Sequence, residues 1–178
     1  MDVTLINTDN LRSCAPFLSA GDRVLLSGVV YTARDAAHKR ISAALENGSE
    51  LPFDLNGAVI YYTGPTPAKN GMAVGSAGPT TSGRMDVYTP ALLDAGLCGM
   101  IGKGARNEQV TASIIKNGAV YFCAVGGAGA LYCRHITSCE VIAYDDLGCE
   151  SVKKLQVDKL PLVVGIDCRF GSLFTRTN

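Results

Sequence analysis

The residues of this chain best suited to chemistry are Arg34, Thr80, Thr81, Arg84 and Lys103. Thr80, Thr81 and Arg84 lie in the stretch Gly78-Pro79-Thr80-Thr81-Ser82-Gly83-Arg84-Met85-Asp86, after the small apolar run Met72–Ala77, which reads as a strand. A strand, a Gly-Pro turn, hydroxyls and a helix start form a recipe for holding an anion. Free N–H groups and the positive end of the helix dipole point at one spot, and an arginine adds a charged fork. The same residues also describe a capped helix after a tight turn, with no ligand. Arg34 falls in the first turn of a helical pattern, where a cation opposes the dipole; a bound anion or plain solvation accounts for it equally. Lys103 stands between Gly102 and Gly104 at a strand end, where the backbone can approach a ligand closely. It departs from a phosphate-binding P-loop, because Leu97 replaces the first glycine and Ala105 the hydroxyl residue. An ordinary exposed turn remains the alternative there.

If these strand ends converge, as they do at sites in open α/β sheets, they build a pocket with three cations. That charge suits a small ligand with two carboxylates, each met by a planar fork or an ammonium. The threonine hydroxyls would orient a substrate hydroxyl or relay a proton. No motif supplies a metal, a histidine base or a nucleophile triad, so the pattern reads as half of an active site.

The elements that would position these groups alternate between strand and helix signals. Strands are expected at Val3–Ile6, Arg23–Tyr31, Gly57–Thr63, Cys98–Gly102, Ala119–Val125 and Ser138–Tyr144. Val152–Val157 and Leu162–Asp167 read as a further pair. Helices are expected from Arg34 to Glu46, capped by Thr32, from Thr89 to Ala95, and from Asn107 to Asn117. Residues 64–71 can only be a loop, and the glycine-rich Gly126–Leu131 reads as a packed turn into a short helix. His135 has no carboxylate or second histidine at ligand spacing and is assigned a structural role. The expected architecture is one α/β domain over residues 1–178, with a mixed sheet flanked by helices.

Composition narrows the function classes. Charged residues make up 18%, below the usual ~25%, as in a chain that buries surface against a partner or one with a well-covered sheet. Basic and acidic residues balance at 16 each without like-charge runs, so nucleic acid and membrane surface lack an electrostatic footprint. No signal sequence or membrane-spanning stretch is visible, and a cytoplasmic location is expected. The seven cysteines form no Cys-x-x-Cys pair, which argues against a zinc ribbon or a complete iron–sulfur motif in this chain. Most lie in apolar runs and read as small core residues. A cysteine nucleophile would need a neighbouring histidine, which nothing here places.

The segment Gly28-Val29-Val30-Tyr31-Thr32-Ala33-Arg34-Asp35-Ala36-Ala37-His38-Lys39-Arg40 resembles a motif of the class I, iron–sulfur fumarate hydratases. So do Tyr62-Thr63-Gly64-Pro65, Gly78–Met85, Met100-Ile101-Gly102-Lys103-Gly104, Leu147-Gly148-Cys149-Glu150-Ser151 and Leu160-Pro161 to Asp167. The likeness runs in order from about Gly21 to Asp167 and is to the β subunit, the equivalent of the C-terminal domain in single-chain members. The tartrate dehydratase β subunit is similar in the same motifs. The resemblance implies a swivelling β/β/α domain and a hydro-lyase that reversibly adds water to fumarate to give (S)-malate. It implies a [4Fe–4S] cluster held by a partner α subunit in an α2β2-type heteromer, with no cysteine of this chain at a ligand position and no metal bound by it. By motif match Arg34, Arg84 and Lys103 bind the carboxylates, Thr80 and Thr81 lie beside the carbon skeleton, and Thr80 is the candidate for proton abstraction. Asp35 orients arginine, and His38 is structural or interfacial. A tartrate dehydratase β subunit and a free-standing dicarboxylate-binding module are the alternatives.

Overall fold

A computed structural model describes residues 3–69 and 71–174. Runs of β-branched and aromatic residues become the central strands, because such side chains pack well on a pleated surface. β1 (Val3–Asn7), β2 (Arg23–Thr32), β3 (Val59–Tyr61), β4 (Gly99–Gly102) and β5 (Val120–Cys123) run parallel, each paired with the next. β6 (Ile136–Ala143) and β7 (Val152–Ile166) complete a mixed seven-stranded sheet of order β1-β2-β3-β4-β5-β7-β6. β7 is antiparallel to its neighbours and also pairs with β2, so β2-β3-β4-β5-β7 closes into a ring from which β1 and β6 extend.

Closure creates two apolar layers. Alternate residues of the ring strands, such as Val59, Tyr61, Ile101, Val120, Phe122 and Leu155, pack on one face. Their neighbours Ile60, Tyr62, Met100, Tyr121 and Val152 pack on the other. Residues of helices α2 (Asp35–Glu46), α3 (Thr89–Asp94) and α4 (Glu108–Asn117) cover that second layer. Strands buried on both faces lose the polar alternation of half-exposed ones, as β3 and β4 do here. Two further helices are single turns, α1 (Leu11–Cys14) and α5 (Gly129–Tyr132).

Several expectations require correction. Residues Met72–Ala77 form no strand. Val74 and Ala77 are buried, which gives the run its apolar pattern, but its backbone bonds go to loop and helix instead of a strand: Gly75 N–H to Thr66 O, Thr66 N–H to Ser76 O, and Ala77 N–H to Gly129 O. The helix expected after the Gly-Pro turn is a four-residue 3-10 turn, Ser82–Met85. Thr32 does not cap α2; it belongs to β2, and Arg34 takes the N-cap position without a side-chain cap bond. The two terminal runs are one 15-residue strand rather than a pair. The residues between the two expected runs continue the strand: Leu160 is buried opposite Leu26, and a register shift at Leu26/Gly28 absorbs the irregularity. Gly28 sits there at φ 115, where a Cβ would lie 2.1 Å from Thr8 Oγ1. That oxygen accepts the Val29 N–H, so the bulge has space only for glycine.

The cysteines are less uniformly internal than their apolar contexts imply. Cys98 and Cys133 are buried, Cys149 is exposed, and the other four are half-buried; all seven are free thiols.

Candidate active site

Beyond the last paired residues of β2, β3, β4 and β5 the chain enters the loops that carry the charged residues named above. β2 ends at Thr32, and Arg34 follows in extended conformation. Its Nη2 lies 3.3 Å from Glu150 Oε1 and 4.0 Å from Asp35 Oδ2. The same Asp35 oxygen accepts a hydrogen bond from Arg84 Nη2 at 2.5 Å. One carboxylate therefore joins two guanidiniums whose residues are far apart in sequence. Burial pushes the Asp35 carboxyl up, but the Arg84 hydrogen bond, its own backbone and both arginine charges hold it below the usual carboxylate range.

The Thr80–Arg84 segment is fastened from below. Thr80 N–H donates to Tyr62 O at 2.7 Å, and Ser82 N–H to Lys103 O at 2.9 Å. Thr63 Oγ1 donates to Gly78 O at 2.8 Å, and Thr81 forms an isolated parallel bridge with Lys103. These bonds change the sequence-based reading of the turn. Two N–H groups expected to face an anion are used by the backbone, and a four-residue 3-10 turn has little dipole to offer. The anion-holding character rests on side chains instead.

Lys103 is half-buried at the end of β4, and its ammonium has no ion pair or hydrogen bond among the described residues. Its ammonium lies along the glycine-rich turn, where a Cβ on Gly126 would stand 3.8 Å from Nζ. The side-chain hydroxyls of Thr80 and Thr81 likewise have no partner among the described residues. The structure thus groups Arg34, Asp35 and Arg84 around one carboxylate, and Thr80, Thr81 and Lys103 along one backbone bridge. The 80–84 segment links the two groups. The expected trio of cations is partly neutralised, because Asp35 and Glu150 attend the arginines while Lys103 stands unpaired.

His38 is fully buried. Its Nδ1 donates to Arg34 O at 3.0 Å, and the ring packs edge-on to Tyr62 at 5.2 Å. Burial drives its pKa down to about 4, so the ring is neutral at physiological pH. It supports the backbone that carries Arg34. His135 bonds Asp158 O at 3.0 Å and is remote from these residues in the chain.

Beneath the site lies a cation that sequence reasoning passed over. The Arg106 side chain is fully buried and donates to Asp86 Oδ1 at 2.6 Å, Thr89 Oγ1 at 2.8 Å and Tyr62 OH at 3.3 Å. Its guanidinium stands 5.3 Å from the Tyr62 ring centroid and 5.1 Å from that of Tyr121. Asp86 Oδ2 also accepts the Asn107 N–H at 2.7 Å. Tyr121 OH donates to Gly104 O at 2.8 Å and contacts Ser82 Oγ at 2.9 Å. The network ties the turn carrying Arg84 to the strand end carrying Lys103. In sequence Arg106 looks like one more loop cation; its only signal is position, three residues after Lys103. Glu150 was also missed as a participant, though it lies in a motif singled out above.

Among the described residues no group of three or more His, Cys, Asp or Glu is placed to hold a metal ion. The described side chains therefore offer no ligand set for an iron–sulfur cluster. No helix among the described residues is long and apolar enough to cross a membrane.

Comparison with known proteins adds a second line of evidence. Residues 2–177 match the family model described as "Fumarase C-terminus". The chain is 34% identical over 171 residues to "Fumarate hydratase 2" of Leishmania major, covering 95% of this chain and 30% of that protein. It is 36% identical over 154 residues to "Fumarate hydratase class I, aerobic" of Escherichia coli K12, covering 85% of this chain and 28% of the relative. It is 36% identical over 167 residues to the "Putative L(+)-tartrate dehydratase subunit beta" of Methanocaldococcus jannaschii, covering 90% of this chain and 86% of that one. The chain thus spans less than a third of the length of the two fumarate hydratases.

Proposed function

The chain belongs to the fumarase C-terminus family, and from that premise we propose that it is the β-type half of a hydro-lyase site, adding water reversibly to fumarate to give (S)-malate. The observation that carries this reading is the Asp35 carboxylate shared by Arg34 and Arg84, with Lys103 bridged to the same segment through Thr81. A dicarboxylate offers four oxygens to these cations. Asp35 occupies one nitrogen of the Arg84 fork, and the remaining donors are available to a substrate carboxylate.

In this reading Arg34, Arg84 and Lys103 grip the two carboxylates, and Thr80 and Thr81 line the carbon skeleton. Thr80 Oγ1 is the candidate to take the proton from carbon. An isolated threonine hydroxyl is a poor base, so the proton must pass on to an acidic or basic group outside the described residues. The electrophile is external as well. The family resemblance implies a [4Fe–4S] cluster, for which the described residues offer no ligand set; we assign it to a partner α subunit, in an α2β2-type heteromer of the cytoplasm. Residues 1–178 would act as one swivelling domain that closes on that partner.

One observation favours a second substrate: the chain covers 86% of the tartrate dehydratase relative, against 30% and 28% of the two fumarate hydratases. L(+)-tartrate carries the same two carboxylates and demands the same cations.

The test is anaerobic co-expression with candidate α chains, following loss of fumarate and, separately, of tartrate. Activity on neither substrate in any pairing sinks the proposal. Tight dicarboxylate binding by the chain alone, measured calorimetrically and without activity in any pairing, would establish the free-standing binding module instead.

A further inference from the structure

Glu150 makes two contacts at once. Its Oε1 lies 3.3 Å from Arg34 Nη2, and its Oε2 accepts the Ala36 N–H at 3.2 Å in the first turn of α2. One carboxylate thus pins a guanidinium and the backbone that bears it. Glu150 itself ends the 3-10 segment Asp145–Glu150, which breaks at Gly148 (φ 58, ψ −115).

That break turns carbonyls toward a buried cation. Lys153 is 8% exposed, and its Nζ is 3.1 Å from Gly148 O, 3.2 Å from Cys149 O, 3.3 Å from Ser151 O and 2.6 Å from Ser151 Oγ. An ammonium has three N–H donors, and here all are shared among four acceptors of one turn. The turn is also tied to β2, because Thr32 Oγ1 donates to Ser151 O and accepts the Lys153 N–H. At Gly64 a Cβ would stand 3.0 Å from Cys149 O and 3.2 Å from both Arg34 Cδ and Nη1. The exit of β3, this turn and the Arg34 side chain therefore meet at one point.

We propose that Glu150 and Lys153 are positioning residues of the dicarboxylate site: Lys153 holds the turn that presents Glu150, and Glu150 sets the angle of the Arg34 fork. The inference rests on reading Arg34 as a carboxylate ligand. A half-exposed ion pair adds little to fold stability. A misplacement of ~1 Å in a substrate clamp, by contrast, costs about 100-fold in rate. The worth of the Glu150–Arg34 pair lies in placement.

The assembled enzyme provides the first test. Glu150→Gln and Lys153→Met should each lower kcat/KM by roughly 10- to 100-fold, mainly through KM, because ground-state and transition-state binding both use Arg34. Glu150→Gln added to Arg34→Ala should cause no further loss, since Glu150 acts through Arg34. Full additivity overturns the proposal. A second readout needs no activity: amide hydrogen exchange of the full chain. Lys153→Met should speed exchange at Ala36 about tenfold, as expected when a charge-assisted hydrogen bond is lost, and leave Ile41 in the middle of α2 unchanged. An unaltered Ala36 rate overturns the proposal. If Lys153→Met does not fold, Ser151→Ala removes its shortest contact and is read the same way. An assembled wild type that acts on neither fumarate nor tartrate defeats the functional reading, while the exchange result still decides whether Lys153 presents Glu150 to α2.

Discussion

Replacing Arg106 by methionine tests whether the buried network holds the site together. The substitution keeps much of the stem volume but removes the fork that bonds Asp86, Thr89 and Tyr62. Asp86 is 7% exposed and would keep only the Asn107 N–H as a partner for a buried charge. Breaking a buried pair from one side costs about 3–5 kcal/mol. The lost cation–π contacts with Tyr62 and Tyr121 act in the same direction. For a chain of this length each kcal/mol corresponds to ~2–4 °C in Tm, so a fall of roughly 6–20 °C is expected. Urea denaturation followed by circular dichroism gives the free energy directly. Because the penalty is mainly the stranded carboxylate, Asp86→Asn added to Arg106→Met should recover at least half of it. A loss below about 1 kcal/mol in the single variant refutes the argument. So does a double variant that loses the sum of the two singles, since groups in contact are expected to couple.

Other substitutions address the remaining claims. Arg84→Ala and Lys103→Ala should each lower kcat/KM in the assembled enzyme by roughly 10- to 1,000-fold, because a charge-assisted contact to substrate is lost; a change under twofold removes the residue from the site. Arg84→Lys should restore only part of that activity, since a point charge cannot reproduce the fork that serves Asp35 and a carboxylate together. His38 is neutral in the fold down to a pKa of about 4, against 6.5 in an unfolded chain. Between those values the unfolded state binds the extra proton, so stability should fall as pH drops from about 6.5 toward 4, by at most ~3 kcal/mol. His38→Asn, which keeps a donor for Arg34 O, should flatten that slope; an equally steep slope in the variant assigns the effect to other groups. Gly28→Ala should cost about 2 kcal/mol or more by denaturant unfolding, given its positive φ and the Thr8 oxygen 2.1 Å from the new Cβ.

Legibility in the sequence followed how local each signal was. β2 and α4 were readable because their apolar periods are long and their ends are marked; Asn107 caps α4 and Gly118 closes it at φ 62. Met72–Ala77 looks like a strand in sequence because Val74 and Ala77 are buried, yet its backbone bonds run to residues 66 and 129 instead of to a sheet. Closure of the ring was invisible, since the pairing of β2 with β7 joins residues more than 120 positions apart and no local pattern encodes register across that distance. The same limit governs the site. Arg34, Thr80, Thr81, Arg84 and Lys103 stand out in sequence as candidates because each sits at a recognisable junction. Glu150 and Arg106 could not be given roles, because only tertiary packing brings one to Arg34 and buries the other under Tyr62 and Tyr121.

The carboxylates that came with that packing alter the physical picture of the pocket. Three bare cations at one point would repel one another and destabilise the free chain. With Asp35 between Arg34 and Arg84, and Glu150 behind Arg34, each guanidinium keeps a counter-charge in the absence of ligand. A guanidinium has five donors, and a single carboxylate contact leaves most of them for a second partner. On the proposed reading, Asp35 and Glu150 stay in place while a dicarboxylate binds the remaining exposed donors of the forks. Of the three proposed ligands Lys103 alone lacks a counter-charge among the described residues, and on that reading it would supply the strongest net attraction for the incoming anion. Its loss should weaken binding with a steeper dependence on ionic strength than the loss of Arg34, whose charge is already balanced. Measuring KM for both alanine variants across a salt series decides the point, and equal salt slopes would contradict it.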